Sequence, residues 1–140
     1  MLMVDGRRDA LSVGLRVGIV LLTLSTAYIH FTLGGMMFLA NAVGYLVFAA
    51  AMVAPLAIAS RYRWLIRAAL IVFAVATIGG WLMFGARYWL GYLDKAIEIG
   101  LIALLAVEMV RYDGGPLNVA RQAYDLGLTT LRRVLGRSAA

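Results

Sequence analysis

Four apolar stretches, each about twenty residues long, occupy most of the chain and constrain its fold more than any other feature. A helix rises about 1.5 Å per residue, so about twenty apolar residues cross the ~30 Å hydrocarbon core of a bilayer. We therefore predict an all-α integral membrane protein with four transmembrane helices. The predicted spans lie at about 11–33, 35–59, 64–84 and 88–110.

Two very short connections join these stretches in pairs. Gly34 and Gly35 separate the first stretch from the second, and residues 85–87 separate the third from the fourth. Helices joined by such short connections must be antiparallel, so we predict an antiparallel four-helix bundle. Residues 1–110 are expected to form this transmembrane domain, and residues 111–140 a cytoplasmic amphipathic helix and tail.

The composition excludes a water-soluble globule. Hydrophobic residues make up 64% of the chain and charged residues 14%, against roughly 45–50% and about 25% in soluble domains. The chain has no cysteine, which excludes disulfides, iron-sulfur clusters held by thiolates and cysteine zinc sites.

The arginines predict how the helices are oriented. Eleven of the twelve lie at or before the start of the first stretch, around the connection between the second and third, or after the fourth, and only Arg87 lies on the other side. Positive loops stay in the cytoplasm, so both termini are expected there, in a bacterial or archaeal cell membrane. The net charge of +6 then indicates attraction to anionic lipids, and the chain carries no recognisable nucleic-acid-binding module.

A second kind of helix is predicted after the fourth stretch. Gly114 and Gly115 break the chain, and Pro116 suits the first turn of a new helix. One face of that helix is apolar, formed by Leu117, Ala120, Tyr124, Leu128, Leu131 and Leu135. The helix is too polar to span a bilayer, so we expect it on the cytoplasmic membrane surface, with docking on a partner subunit as the alternative.

The fourth stretch contains Asp94, Lys95 and Glu98. An ionised group at the centre of a membrane helix costs roughly 2.5–3.5 kcal/mol, so these side chains are expected to face the other helices. A 100° step per residue predicts one inward stripe. Its members are Arg87, Gly91, Asp94, Glu98, Leu101, Leu105 and Glu108.

Polar residues of the first two stretches reach a similar depth. His30 lies near the outer end of its helix, and Asn41 and Tyr45 lie in the outer half of theirs. We predict a polar pocket open to the outside or to a partner. Its binding or proton-relay residues are His30, Asn41, Tyr45, Asp94, Lys95 and Glu98. The alternative is that Lys95 and a neighbouring acid form a buried pair that only fixes helix register.

Two local features carry further expectations. Pro55 removes a backbone hydrogen bond late in the second helix, so we expect a bend there. Glu108 and Arg111 lie three residues apart near the cytoplasmic end of the fourth helix. That spacing predicts an ion pair between them.

Enzyme, metal and cofactor chemistry find little support in the sequence. The chain has no nucleophile elbow, phosphate loop or dinucleotide fingerprint, so we expect no catalytic residue. His30 is the only histidine and belongs to no Glu-x-x-His pair, so we expect neither a metal nor a haem, and no other cofactor.

Three functions remain open. The small size and the absence of a catalytic signature favour a structural or accessory subunit of a larger membrane complex, with other membrane subunits or further copies of the chain as partners. The charged residues of the fourth stretch favour a small transporter, channel or proton-coupled carrier. A binding protein for a small amphiphile is the third hypothesis.

Overall fold

The fold, taken from a computed structural model, is described for residues 2–137, with side chains described for residues 10–136. This part of the chain contains six α-helices and no strand. The helices are α1 (Leu2–Leu33), α2 (Met36–Val53), α3 (Ala57–Arg61), α4 (Arg63–Phe84), α5 (Trp89–Tyr112) and α6 (Pro116–Arg137).

Three helices are long and apolar enough to cross a membrane. They are the Ala10–Leu33 part of α1, α2 and α4. This finding indicates that the protein associates with a membrane. Helix α5 is as long, with 24 residues, but it falls outside this group because Asp94, Lys95 and Glu98 interrupt its apolar character.

Glycines end α1 and precede α6, as the sequence predicts. Gly34 and Gly35 have φ angles of 70° and 86°, and Gly114 and Gly115 have 76° and 95°. Side chains with a Cβ rarely adopt these angles, so glycine permits a tight turn at both places. Helix α6 then begins at Pro116, whose missing N–H is not needed in a first turn.

The second predicted span departs from expectation. The sequence favours one helix over residues 35–59 with a bend at Pro55, whereas α2 ends at Val53 and α3 begins at Ala57. Proline disfavours helical geometry in the residue before it and removes a helical hydrogen bond, so the helix stops here instead of bending.

The four long helices α1, α2, α4 and α5 form a closed ring of contacts, in which α1 packs on α2 and α5, and α4 packs on the same two helices. Their shared core is fully buried and consists largely of Ile19, Tyr45, Met52, Leu70, Leu101 and Leu105. Helices α2 and α4 come very close at Gly44, where an added Cβ would lie 2.6 Å from Cζ of Phe73.

Helix α6 contacts α4 and α5. Of its side chains, Val119 is buried, whereas Leu117, Leu131 and Leu135 on the predicted apolar face are exposed. The amphipathic helix is therefore confirmed as a helix, and its apolar face is uncovered within the described part of the chain.

Candidate functional site

Helix α5 turns its three acids and its lysine inward. Asp94, Lys95, Glu98 and Glu108 are all buried, and so are Gly91, Leu101 and Leu105 of the predicted stripe. Arg87 is the exception, because it lies in the turn before α5 and is exposed. Its guanidinium donates to the carbonyl of Leu82 and lies over the ring of Trp81, so the prediction that Arg87 faces the helices is wrong.

Glu98 lies at the centre of the buried polar residues. One carboxylate oxygen, Oε1, accepts hydrogen bonds from the Tyr45 hydroxyl at 2.6 Å and from the Thr77 hydroxyl at 2.7 Å. The other oxygen, Oε2, accepts from Nζ of Lys95 at 2.6 Å. Helices α2, α4 and α5 thus all supply donors to this fully buried side chain, which offsets the cost of burying it.

Lys95 joins the two carboxylates of α5. Its Nζ lies 2.9 Å from Oδ2 of Asp94 as well as 2.6 Å from Glu98. The second oxygen of Asp94, Oδ1, accepts from the Thr26 hydroxyl of α1 at 2.7 Å. One ammonium group therefore neutralises part of the charge of two buried acids, and the Thr26 hydroxyl adds a donor from a fourth helix, α1.

His30 lies beside this network and is buried. Its Nδ1 is 2.9 Å from the backbone oxygen of Thr26, which only accepts hydrogen bonds, so Nδ1 carries a proton. The same nitrogen is 3.7 Å from Oδ1 of Asp94. The imidazole ring lies 5.6 Å from the Tyr45 ring, measured between centroids.

We name this group the carboxylate cluster. It consists of Thr26, His30, Tyr45, Thr77, Asp94, Lys95 and Glu98. Five of the six predicted site residues belong to it, which confirms that the buried charges face inward and meet residues of the other helices. Thr26 and Thr77 are absent from the predicted set because a threonine in an apolar helix gives no sequence signal beyond its position on the inward face.

Asn41 lies apart from the carboxylate cluster. Its side chain makes no hydrogen bond to the cluster within the described residues, but it lines a cavity of about 660 Å³ beside it. Phe38, Phe73 and Trp81 form part of the cavity wall. His30, Thr77, Asp94 and Lys95 also border the cavity.

The cavity lies at one end of the ring of helices. Leu33 at the end of α1, Phe84 at the end of α4 and Tyr88 before α5 all line it. The opposite half of the core contains Ile19, Met52 and other side chains that exclude solvent. The cavity is therefore a recess that ends at the carboxylate cluster.

His30, Asp94 and Glu98 also have the spacing of a metal site, since one ligand atom from each lies within 4.8 Å of the others. The ammonium group of Lys95, however, contacts both carboxylates. Nδ1 of His30 carries a proton, and Oδ1 of Asp94 accepts a hydrogen bond from Thr26, so neither atom is free to bind a metal. Lys95 thus already supplies a positive charge to both acids.

A second buried charged group lies on the same helices, near the start of α4. Nε of Arg67 donates to Glu108 at 2.7 Å, and its NH1 group donates to both oxygens of Asp113 at 2.8 Å. The expected pair between Glu108 and Arg111 is therefore wrong, because Glu108 points into the protein and Arg111 is exposed. The true partner is 41 residues away.

Comparison with known proteins gives no family for the chain. No family model, no curated protein sequence and no solved structure matches it.

Proposed function

We propose that this chain is an integral membrane protein that binds a small amphiphile with a protonated amine head group in the cavity beside the carboxylate cluster. The observation that carries the proposal is the composition of that cavity. Its wall is largely apolar and aromatic, and it ends at buried acids with incomplete charge compensation. Concave apolar sites with a few polar groups at one end are typical of small-molecule binding.

We place four helices across the membrane, adding α5 to the three apolar ones. Its 24 residues reach about 36 Å, which suffices for a bilayer core. Burial of Asp94, Lys95 and Glu98 against other helices supports this arrangement, because lipid then meets the apolar side of α5. The arginine distribution supports cytoplasmic termini and a cavity that opens toward the outer leaflet.

We place α6 on the cytoplasmic membrane surface. Its exposed leucines would enter the acyl boundary, and its arginines would face anionic head groups. This position is compatible with the turn at Gly114 and Gly115, which redirects the chain directly after α5.

The charge of the carboxylate cluster supports an amine as the ligand's head group. Asp94 and Glu98 carry two negative charges when ionised, Lys95 carries one positive charge, and His30 is neutral when only Nδ1 is protonated. One negative charge is left in a region of low dielectric constant, where a cation is strongly favoured. The aromatic cavity wall adds cation–π attraction.

Ligand binding can be measured in nanodiscs through Trp81, which lines the cavity. The protein would carry Trp64→Phe and Trp89→Phe, so that Trp81 is the single tryptophan. We expect a saturable change in Trp81 fluorescence with octylamine. Affinity should be roughly tenfold weaker or worse with octanol, which has no charge, and with octanoate, whose negative charge is repelled by the acids.

Two glycines of α4 supply a matched pair of variants. An added Cβ meets no atom within 4 Å at either Gly79 or Gly80, but only Gly80 lines the cavity. Gly80→Leu should fill the cavity and abolish saturable octylamine binding, whereas Gly79→Leu should retain it. Equal binding by both variants, or only non-saturable partitioning in the parent protein, would contradict the proposal.

Asp94 is the acid that borders the cavity, so Asp94→Asn should reduce the preference for octylamine over octanol. Asp125→Asn is the control, because Asp125 is exposed on α6 and its replacement by Asn makes the same change in net charge. An unchanged preference in Asp94→Asn would show that this carboxylate does not bind the head group.

A second candidate function is a proton-coupled carrier, and one observation favours it. Thr77 lies 2.7 Å from Glu98 and 2.8 Å from the carbonyl of Ala74. When Glu98 is ionised, Thr77 donates to it; when Glu98 is protonated, it donates to Thr77, which donates to Ala74. The hydrogen bonds are therefore satisfied in both protonation states.

Proteoliposomes loaded with a pH-sensitive dye separate the carrier from a binding protein. A carrier would show amine-dependent proton flux that Glu98→Gln abolishes and Asp125→Asn retains. Binding of octylamine without any flux supports the binding protein alone.

The subunit hypothesis is tested on the same preparation. Native mass measurement of the protein purified from its own membrane gives the number and identity of the chains present. A stoichiometric second protein would support an accessory subunit, while copies of this chain alone would favour the binding protein.

A further inference from the structure

The end of the molecule opposite the carboxylate cluster holds a second cavity, of about 550 Å³. Arg16 of α1, Arg61 of α3, and Arg63 and Arg67 of α4 all line it. Residues of the turn before α6, including Asp113 and Gly114, complete the wall. Four guanidinium groups from three helices therefore border one recess.

These guanidinium groups are only partly neutralised. Arg67 contacts both Glu108 and Asp113, and these are the two carboxylates paired with it in the described residues. Four positive charges against two negative ones leave an excess of two. Arg63 is also close enough to Arg16 and Arg67 to be repelled by them, so an anion placed among them would relieve like-charge repulsion.

Two of the arginines also have an unused buried donor. Nε of Arg16 and Nε of Arg63 are buried and have no hydrogen-bond partner in the described part of the chain. A buried donor without a partner destabilises a folded protein, and the large majority of such groups have a hydrogen-bond partner. Both residues line the cavity.

The start of α6 adds further attraction for an anion. Gly114 and Asn118 line the cavity, so the first turn of this 22-residue helix borders it. The backbone N–H groups of a first helical turn lack intrahelical partners and carry a partial positive charge. They reinforce the arginines in selecting a negatively charged group.

We infer that the cavity among Arg16, Arg61, Arg63 and Arg67 binds a phosphate group. Guanidinium groups match phosphate oxygens through paired, charge-assisted hydrogen bonds. The phosphate comes either from the head group of an anionic phospholipid or from a soluble phosphate ion. This site differs from the amphiphile cavity in both place and charge, so it stands whether or not octylamine binds there.

The test uses the full chain in a neutral detergent and has two arms. In the first, native mass spectrometry follows retention of phosphatidylglycerol and of zwitterionic phosphatidylcholine. In the second, equilibrium dialysis measures binding of inorganic phosphate in the absence of phospholipid. Preferred retention of phosphatidylglycerol identifies a lipid site, and saturable binding of phosphate alone identifies a site for the soluble ion.

Arg16→Gln with Arg63→Gln removes the two unused donors. We expect binding in the positive arm to fall at least about tenfold, since the variant loses two charge-assisted hydrogen-bond donors to the anion. The control is Arg132→Gln with Arg133→Gln, which removes the same charge from exposed positions of α6. That control should retain binding.

Arg61→Gln provides a variant with little risk to folding, because Arg61 is exposed and borders the cavity. It should weaken binding in the same direction by a smaller factor. The inference is overturned if the parent protein binds neither phosphatidylglycerol selectively nor phosphate. It is also overturned if the variants at positions 16, 61 and 63 all bind as the control does.

Discussion

The two buried charged groups of this protein differ in how their partners are arranged along the chain. In the carboxylate cluster, Asp94, Lys95 and Glu98 are neighbours on one turn of α5, and other helices add hydroxyl donors. In the second group, Arg67 of α4 binds Glu108 and Asp113, which are 41 and 46 residues away. We name this second group, which consists of Arg67, Glu108 and Asp113, the arginine cluster.

The two clusters differ in whether the sequence alone shows that a charged residue needs a buried partner. Asp94, Lys95 and Glu98 interrupt an apolar stretch, so the cost of burial alone indicates that they require partners. Arg67 lies near the end of a stretch, where arginine is expected for topology alone. Its role as the partner of a buried acid becomes visible only when α4 and α5 are packed together.

The largest expected effect comes from Lys95→Met, which leaves Asp94 and Glu98 as adjacent buried carboxylates without a cation. Breaking a buried ion pair in this way costs about 3–5 kcal/mol, so we expect a large fall in the thermal unfolding midpoint in detergent. Adding Glu98→Gln should recover part of the loss, because it removes one of the two negative charges. An unfolding midpoint equal to that of the parent would show that Lys95 does not hold the acids in place.

Arg67→Gln is expected to cause a smaller loss of unfolding free energy than Lys95→Met. The reason is that water has better access to the arginine cluster than to the carboxylate cluster. Glu108 is fully buried, but Asp113 borders the open cavity at this end, where water can solvate it. We expect a cost of about 3 kcal/mol, the lower end of the range for a broken buried pair. Arg67→Lys should recover only part of it, because lysine cannot reproduce the forked contact with both acids.

Thermal unfolding under the conditions used for Lys95→Met measures this difference. A loss equal to or larger than that of Lys95→Met would contradict the view that the arginine cluster is the more hydrated of the two.

The smallest effect concerns the hydroxyl donors of the carboxylate cluster. Oε1 of Glu98 accepts two short hydrogen bonds from hydroxyl groups. Thr77→Val removes one of them and leaves that of Tyr45, so we expect a loss of about 1 kcal/mol. Combining it with Tyr45→Phe should cost more than the sum of the two single changes, because Oε1 then loses both of these donors. A double-mutant cycle of unfolding free energies measures this coupling.

Thr32→Val is the matched control for that cycle. The Thr32 hydroxyl donates to the carbonyl of Ile29 in its own helix and takes no part in the carboxylate cluster. It should show no coupling with Tyr45→Phe. Coupling as strong as that of Thr77 would mean that the cycle reports general loosening of the helices.

Much of the helical layout follows from local sequence. The expected spans at 64–84 and 88–110 correspond closely to α4 and α5, because residues 85–87 separate two long apolar stretches. The sequence predicts a disturbance at Pro55 but not that the helix ends there. The sequence shows that proline disturbs a helix, but proline is compatible with a bend as well as with a stop, and the structure shows that α2 ends at Val53.

The sequence predicts which ionisable residues belong to the carboxylate cluster better than it predicts which neutral residues do. Burial cost identifies Asp94, Lys95 and Glu98 whatever surrounds them, since it is a property of the charged groups themselves. Asn41 shares their depth but lies on the cavity wall without bonding to the cluster. Depth along a helix does not determine contact, because contact also requires the right rotation about the axis.

The bounds of α4 and α5 and the inward face of α5 follow from the amino-acid sequence, because the length of an apolar stretch and the cost of burying a charge are properties of the residues themselves. Three further features depend on how the helices pack. Thr26 and Thr77 donate to the carboxylate cluster, Glu108 pairs with Arg67, and each cluster borders a cavity. These outcomes depend on the relative rotation and axial offset of packed helices. A shift of one residue changes them by about 100° and about 1.5 Å while leaving every helix intact.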